Sequence, residues 1–144
     1  MKNNSAADSA ESIRLNERLK LSALWASLMF CYIYGDIFYL FTPGHLEHMM
    51  EGQMGPFEVT QGVLLGVAIL MAIPAVMVFL SLVLKRQVAR WMNIVLGVLY
   101  TLVNFASTFS DRWLFFIFLG LVEIILTFLI IWYAWKWTGT EYQT

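Results

Sequence analysis

Charge is scarce in this sequence. Asp, Glu, Lys and Arg make up 13% of the chain, against about 25% in a typical soluble domain. Hydrophobic residues make up 60%, and the mean hydropathy is +0.69. A water-soluble fold of this size cannot hide so much apolar surface, whereas a bilayer removes the need to hide it. A net charge of -1 gives no attraction for nucleic acid or another polyanion. Cysteine is down to one, Cys31, inside an apolar run. No internal disulfide can form, and the thiol reads as a small buried hydrophobe. The chain also lacks G-x-S-x-G, C-x-x-C and any phosphate-cradling glycine loop. No cofactor is implied by any motif.

A secretory signal is missing as well. Residues 1–12 are polar and are expected to form a disordered cytoplasmic tail. The first apolar run starts only at Leu21, is too long for a signal core, and has no small-residue cleavage site after it. It reads as a true span.

What is present is long apolar segments. A helix needs about 20 apolar residues to cross the hydrocarbon core. Four segments qualify, at roughly 21–42, 60–84, 91–110 and 113–135. Backbone groups in lipid must be satisfied internally, so the expected fold is an all-α membrane protein, a four-helix bundle over residues 13–137. A short cytoplasmic tail, 138–144, follows. Eight Lys and Arg residues fall in the N-terminal tail, the 85–90 loop and the C-terminal tail, and one, Arg112, falls in the last loop. That asymmetry places both termini in the cytoplasm. Trp91, Trp113, Trp132, Trp135 and Trp137 lie near predicted helix ends, where an indole suits the headgroup region.

Between the first two spans, Thr42 and Pro43 followed by Gly52 form a helix start-and-stop signature. A short interfacial helix is expected there, with Leu46, Met49 and Met50 toward lipid. His45 and His48 on it invite a metal reading, but two histidines without a third ligand make a weak site, and a solvated helix is the plainer reading.

Polar residues inside the spans carry the remaining information. Trp25, Met29, Tyr32, Asp36 and Tyr39 share one face of the first span. Gln61, Leu65, Ala68, Ala72 and Ala75 share one of the second. Asn93, Gly97, Tyr100, Thr101, Asn104, Ser107 and Asp111 line the third, and Gly120, Glu123, Thr127 and Ala134 the fourth. These stripes are expected to face inward. Small and weakly polar residues on them serve helix packing, as does the Gly62–Gly66 pair, within the chain or in a homodimer. Pro74 should weaken the helical bond to the Leu70 carbonyl.

Asp36 and Glu123 resist a packing explanation. A carboxylate in hydrocarbon is expensive unless paired, protonated or wetted. No Lys, Arg or His lies within any predicted span. Glu123 is expected either to bond to Asn104 or Thr127 or to bind a cation or proton, and Arg112 is the one base near enough to reach toward Asp36. Asp36, Gln61, Asn104 and Glu123 are expected to line one outward-opening cavity, with aromatic walls from Tyr32, Tyr39 and Tyr100.

The segments LSALW, YGDIFYLFTPG, TQGVLLGVAILMAIP, RWMNIVLG and IIWYAWKW resemble a bacterial family of small four-helix integral membrane proteins, a domain of unknown function. The resemblance covers most of residues 21–137. It implies the four-helix topology and no activity. A looser similarity is to the DoxX-like membrane proteins, some linked to quinone chemistry, but no residue motif here carries that chemistry over. Three functions stay open. The first is binding or transport of a small ligand, cation or proton through the polar cavity. The second is a non-catalytic subunit of a larger membrane complex. The third is an enzyme acting on a lipid or quinone, disfavoured because no nucleophile or metal set accompanies the acids.

Overall fold

The apolar segments all fold as helices. The computed structural model describes residues 2–54, 57–109 and 112–137, with side chains from Asn16 onward. Helix α1 runs Lys2–Leu40, and its part Asn16–Leu40 is long and apolar enough to cross a membrane. So are α3 (Gln61–Val83), α4 (Arg86–Thr108) and α5 (Leu114–Lys136). Helix α1 begins inside the stretch expected to be a disordered tail, where Ala6, Ala7, Ala10 and Glu11 are good helix formers. Helix α4 begins five residues before the predicted 91, so Arg86 and Arg90 belong to its first turns and only Leu84 and Lys85 link it to α3. Asp111, predicted to end the third polar stripe, lies outside the described residues, as do Ser110 and the 138–144 tail.

Helix α1 packs against α3 on one side and α5 on the other, and α4 packs on α5. Helices α3 and α4, although consecutive, touch far less than these pairs do. Glycine brings α4 and α5 together. A Cβ on Gly97 would stand 2.8 Å from Ile131 Cγ1, and one on Gly120 would overlap the Thr108 side chain. Small residues at these positions let two backbones approach closely.

The buried core sits at one end of the bundle, where α1 and α4 begin and α3 and α5 end. We call this the linker half, after Leu84 and Lys85. Leu21, Trp25, Leu28, Met77, Ala89, Ile94, Ile130 and Ala134 fill it. Its polar groups are bonded. Asn93 accepts from Trp25 Nε1 at 2.7 Å and from Ser81 Oγ at 3.3 Å, and donates to the Ala89 carbonyl at 2.7 Å. Ser22 donates to the Val78 carbonyl at 2.8 Å. Arginines then cap the carbonyls that α3 and α5 leave open at their C-termini. Arg18 donates to Leu82 at 2.6 Å, Arg86 to Trp137 at 3.1 Å and Arg90 to Trp135 at 3.4 Å. Arg90 Nε is the exception, buried without a partner. Trp137 is buried beneath Arg18, so it departs from the interfacial role expected of it, while Trp91, Trp113, Trp132 and Trp135 are exposed.

The opposite end is the hairpin half. Here α2 (His45–Met50) is followed by a two-stranded antiparallel hairpin, β1 (Gln53–Met54) with β2 (Phe57–Glu58). Helix α2 starts two residues later than the Pro43 signature predicted. Thr42 does not cap it: its hydroxyl donates back to the Tyr39 carbonyl at 2.7 Å and closes α1 instead. Gly44, at φ 79°, takes the N-cap, and Gly52, also at φ 79°, follows the last turn in the left-handed conformation that glycine adopts freely. Leu46, Met49 and Met50 are all exposed.

Three of the four predicted stripes turn inward, although Asp36 and Ser107, at the hairpin end, are exposed. The stripe on the second span does not. Gln61, Leu65, Ala68, Ala72 and Ala75 are all exposed, and Pro74, Met77 and Ser81 are the buried face of α3. Gly62 and Gly66 also point away from the bundle and pack no helix within the chain.

Candidate functional site

The hairpin half holds a cavity of about 180 Å³. All four spanning helices contribute through helical spacing. Tyr32, Gly35 and Asp36 come from α1, and Tyr100, Val103, Asn104 and Ser107 from α4. Phe116 and Glu123 come from α5, and Leu70 and Met71 from α3.

Its floor is set by a proline. Pro74 has no backbone N–H, so the Leu70 carbonyl four residues back loses its helical donor. The Tyr100 hydroxyl crosses from α4 and donates to that carbonyl. The Tyr100 ring also meets the buried Trp25 edge-on at 5.8 Å. One turn along α4, Asn104 Oδ1 accepts from the Tyr32 hydroxyl at 2.8 Å. Asn104 is only 2% exposed, and its Nδ2 is buried with no hydrogen-bond partner.

Two carboxylates share this cavity, and no Lys, Arg or His lines it. Among the described residues the carboxylates of Asp36 and Glu123 make no hydrogen bond and no ion pair. The expected side-chain bonds of Glu123 do not form. Asn104 spends its oxygen on Tyr32, and the Thr127 hydroxyl goes to the backbone carbonyls of Glu123 and Ile124, each at 3.0 Å. Arg112 is not among the lining residues.

Five of the predicted site residues therefore come together: Asp36, Glu123, Asn104, Tyr32 and Tyr100. Two do not. Gln61 is exposed at the start of α3, and Tyr39 stands behind the wall, its ring 5.5 Å from Phe116 and 4.1 Å from His45. The wall residues Leu70, Met71 and Phe116 were missed. Leu70 had a signal, since the proline four residues later marks its carbonyl. Among the described residues no group of three or more His, Cys, Asp or Glu converges to hold a metal. His48 Nδ1 lies 3.8 Å from Glu51 Oε2, both well exposed, and His45 meets the Tyr39 ring edge-on.

No curated protein and no solved structure matches the chain. Its sequence matches a family over residues 13–144, nearly the whole length. The chain, a largely helical protein with four helices fit to cross a membrane, belongs to that family of unknown function, DUF6326.

Proposed function

We propose that this multi-pass membrane protein binds a small cation or a proton in the cavity of its hairpin half, with Asp36 and Glu123 as the anionic groups. One observation carries the reading: two carboxylates without ion-pair partners line one intramembrane cavity that holds no basic residue. Acids inside a membrane are retained for a function far more often than for packing. Both termini are cytoplasmic in this reading, because the linker end is flanked by eight Lys and Arg and the hairpin end by Arg112 alone. The cavity then opens toward the outer leaflet. Helix α2 lies in the outer interface with its exposed Leu46, Met49 and Met50 against lipid.

The test is ligand-induced stabilisation of the protein held in lipid nanodiscs. Millimolar monovalent cations, inorganic or ammonium, raise the unfolding temperature of the wild type and leave Glu123→Gln unmoved. An equal rise in both proteins would remove Glu123 from the site. Flux in proteoliposomes that disappears in Glu123→Gln extends the reading from binding to transport, and stabilisation without flux confines it to binding.

A further inference from the structure

We infer that the cavity's ligand is a small organic ammonium carrying an uncharged hydrogen-bond-accepting oxygen, as an amino alcohol does. The inference rests on the cation-binding reading above and deepens it. Charge fixes the first part. Asp36 and Glu123 supply negative charge with nothing in the lining to neutralise it. The rings of Tyr32, Tyr100 and Phe116 add the negative π-faces to which an ammonium is drawn.

Asn104 fixes the second part. The Tyr32 hydroxyl has Asn104 Oδ1 as its acceptor, which turns the amide so that oxygen faces the tyrosine and nitrogen does not. That nitrogen is buried and unpartnered on a residue that lines the cavity. A buried donor left unpaired is costly, so a ligand gains by bringing it an acceptor. A bare metal ion brings none and is repelled by the N–H dipole. It would also need more oxygen ligands than two acids provide, and no third His, Cys, Asp or Glu joins them. A proton neutralises one acid and leaves Asn104 unpaired. A plain alkylammonium does the same. A zwitterionic amino acid carries an acceptor, but its carboxylate would face two others. An ammonium with a hydroxyl, ether or carbonyl oxygen meets both demands.

Size agrees. A cavity of about 150 Å³ holds a benzene-sized molecule, so 180 Å³ admits a compact amine.

The experiment is isothermal titration of the full chain in nanodiscs with 2-methoxyethylamine, whose ether oxygen accepts and cannot donate, and with n-butylamine, matched in heavy-atom count and both protonated at neutral pH. Sodium chloride and glycine serve as further probes. The methoxyethylammonium binds about tenfold more tightly than butylammonium, the value of one good hydrogen bond. In Asn104→Asp, which keeps the acceptor for Tyr32 and replaces the donor by an oxygen, the preference falls below about threefold while ammonium binding persists. Equal affinities for the two amines in the wild type overturn the inference and leave the cation reading standing. So does binding of sodium with no binding of either amine. Failure of every cation to bind overturns both. The wild-type ratio decides alone, so an Asn104→Asp chain that fails to fold does not shelter the idea.

Discussion

Asn93 and Asn104 lie on one face of α4, about three turns apart, and they show how differently the two halves of this bundle are built. In the linker half Asn93 is fully buried and engages Trp25, Ser81 and the Ala89 carbonyl. Three helices meet at one amide. In the hairpin half Asn104 is buried nearly as deeply, bonds only to Tyr32, and keeps an unpaired nitrogen beside two unpaired acids. Looseness does not explain the difference, because the hairpin half is closed tightly where Thr108 meets Gly120. Polar groups stabilise a membrane bundle when they satisfy one another, and they mark a site when they converge and do not.

The comparison breaks most visibly at Asn93. Asn93→Leu leaves the Trp25 N–H and the Ser81 hydroxyl without their acceptor in a dry core, and should lower stability by about 2–3 kcal/mol. Reversible unfolding in mixed micelles measures this. A loss below about 0.5 kcal/mol would mean that the linker half is held by shape alone.

The boundary between the halves gives the next effect. Tyr100→Phe removes the donor that Pro74 made necessary and should cost about 1 kcal/mol. Pro74→Ala restores an N–H to the Leu70 carbonyl. In a double-mutant cycle the cost of Tyr100→Phe should shrink to less than about half in the Pro74→Ala background. Additive costs would show that the tyrosine hydroxyl does not serve that carbonyl.

How much of this was legible in the sequence depends on contrast within each helix. Helix α4 mixes polar and apolar residues, so the face holding Asn93, Gly97, Tyr100 and Asn104 could be read directly. Helix α5 is as apolar as α3, and Glu123 alone marked the face it shares with Gly120 and Thr127. Helix α3, with a mean hydropathy of 2.8, has no charged residue to mark a face. Its alanines and Gln61 offered a stripe that faces outward, and the buried side is marked only by Pro74 and Ser81. The hairpin of two-residue strands is too short for any periodicity to register. Thr42 satisfied a carbonyl behind it rather than the helix ahead, a choice that the pattern Thr-Pro leaves open. The contrast between Asn93 and Asn104 was invisible, since it depends on which side chains other helices bring to each amide. Asp36 and Glu123 could be found because a carboxylate in an apolar run is conspicuous whatever surrounds it.

The smallest effect is the sharpest test of the comparison. Asn104→Leu removes the acceptor of Tyr32, which destabilises. It also removes a buried donor that has no partner, which stabilises, and it replaces the amide with an apolar side chain of similar size. Losing one satisfied bond and one unsatisfied group together should nearly cancel, leaving stability within about 0.5 kcal/mol of the wild type. The same chemical change at Asn93 has no such offset, because every polar atom removed there had a partner. A loss at Asn104 as large as that at Asn93 would show that the hairpin half relies on its amide for packing as much as the linker half does. The cavity would then be an imperfectly filled core, and the two acids would need another explanation.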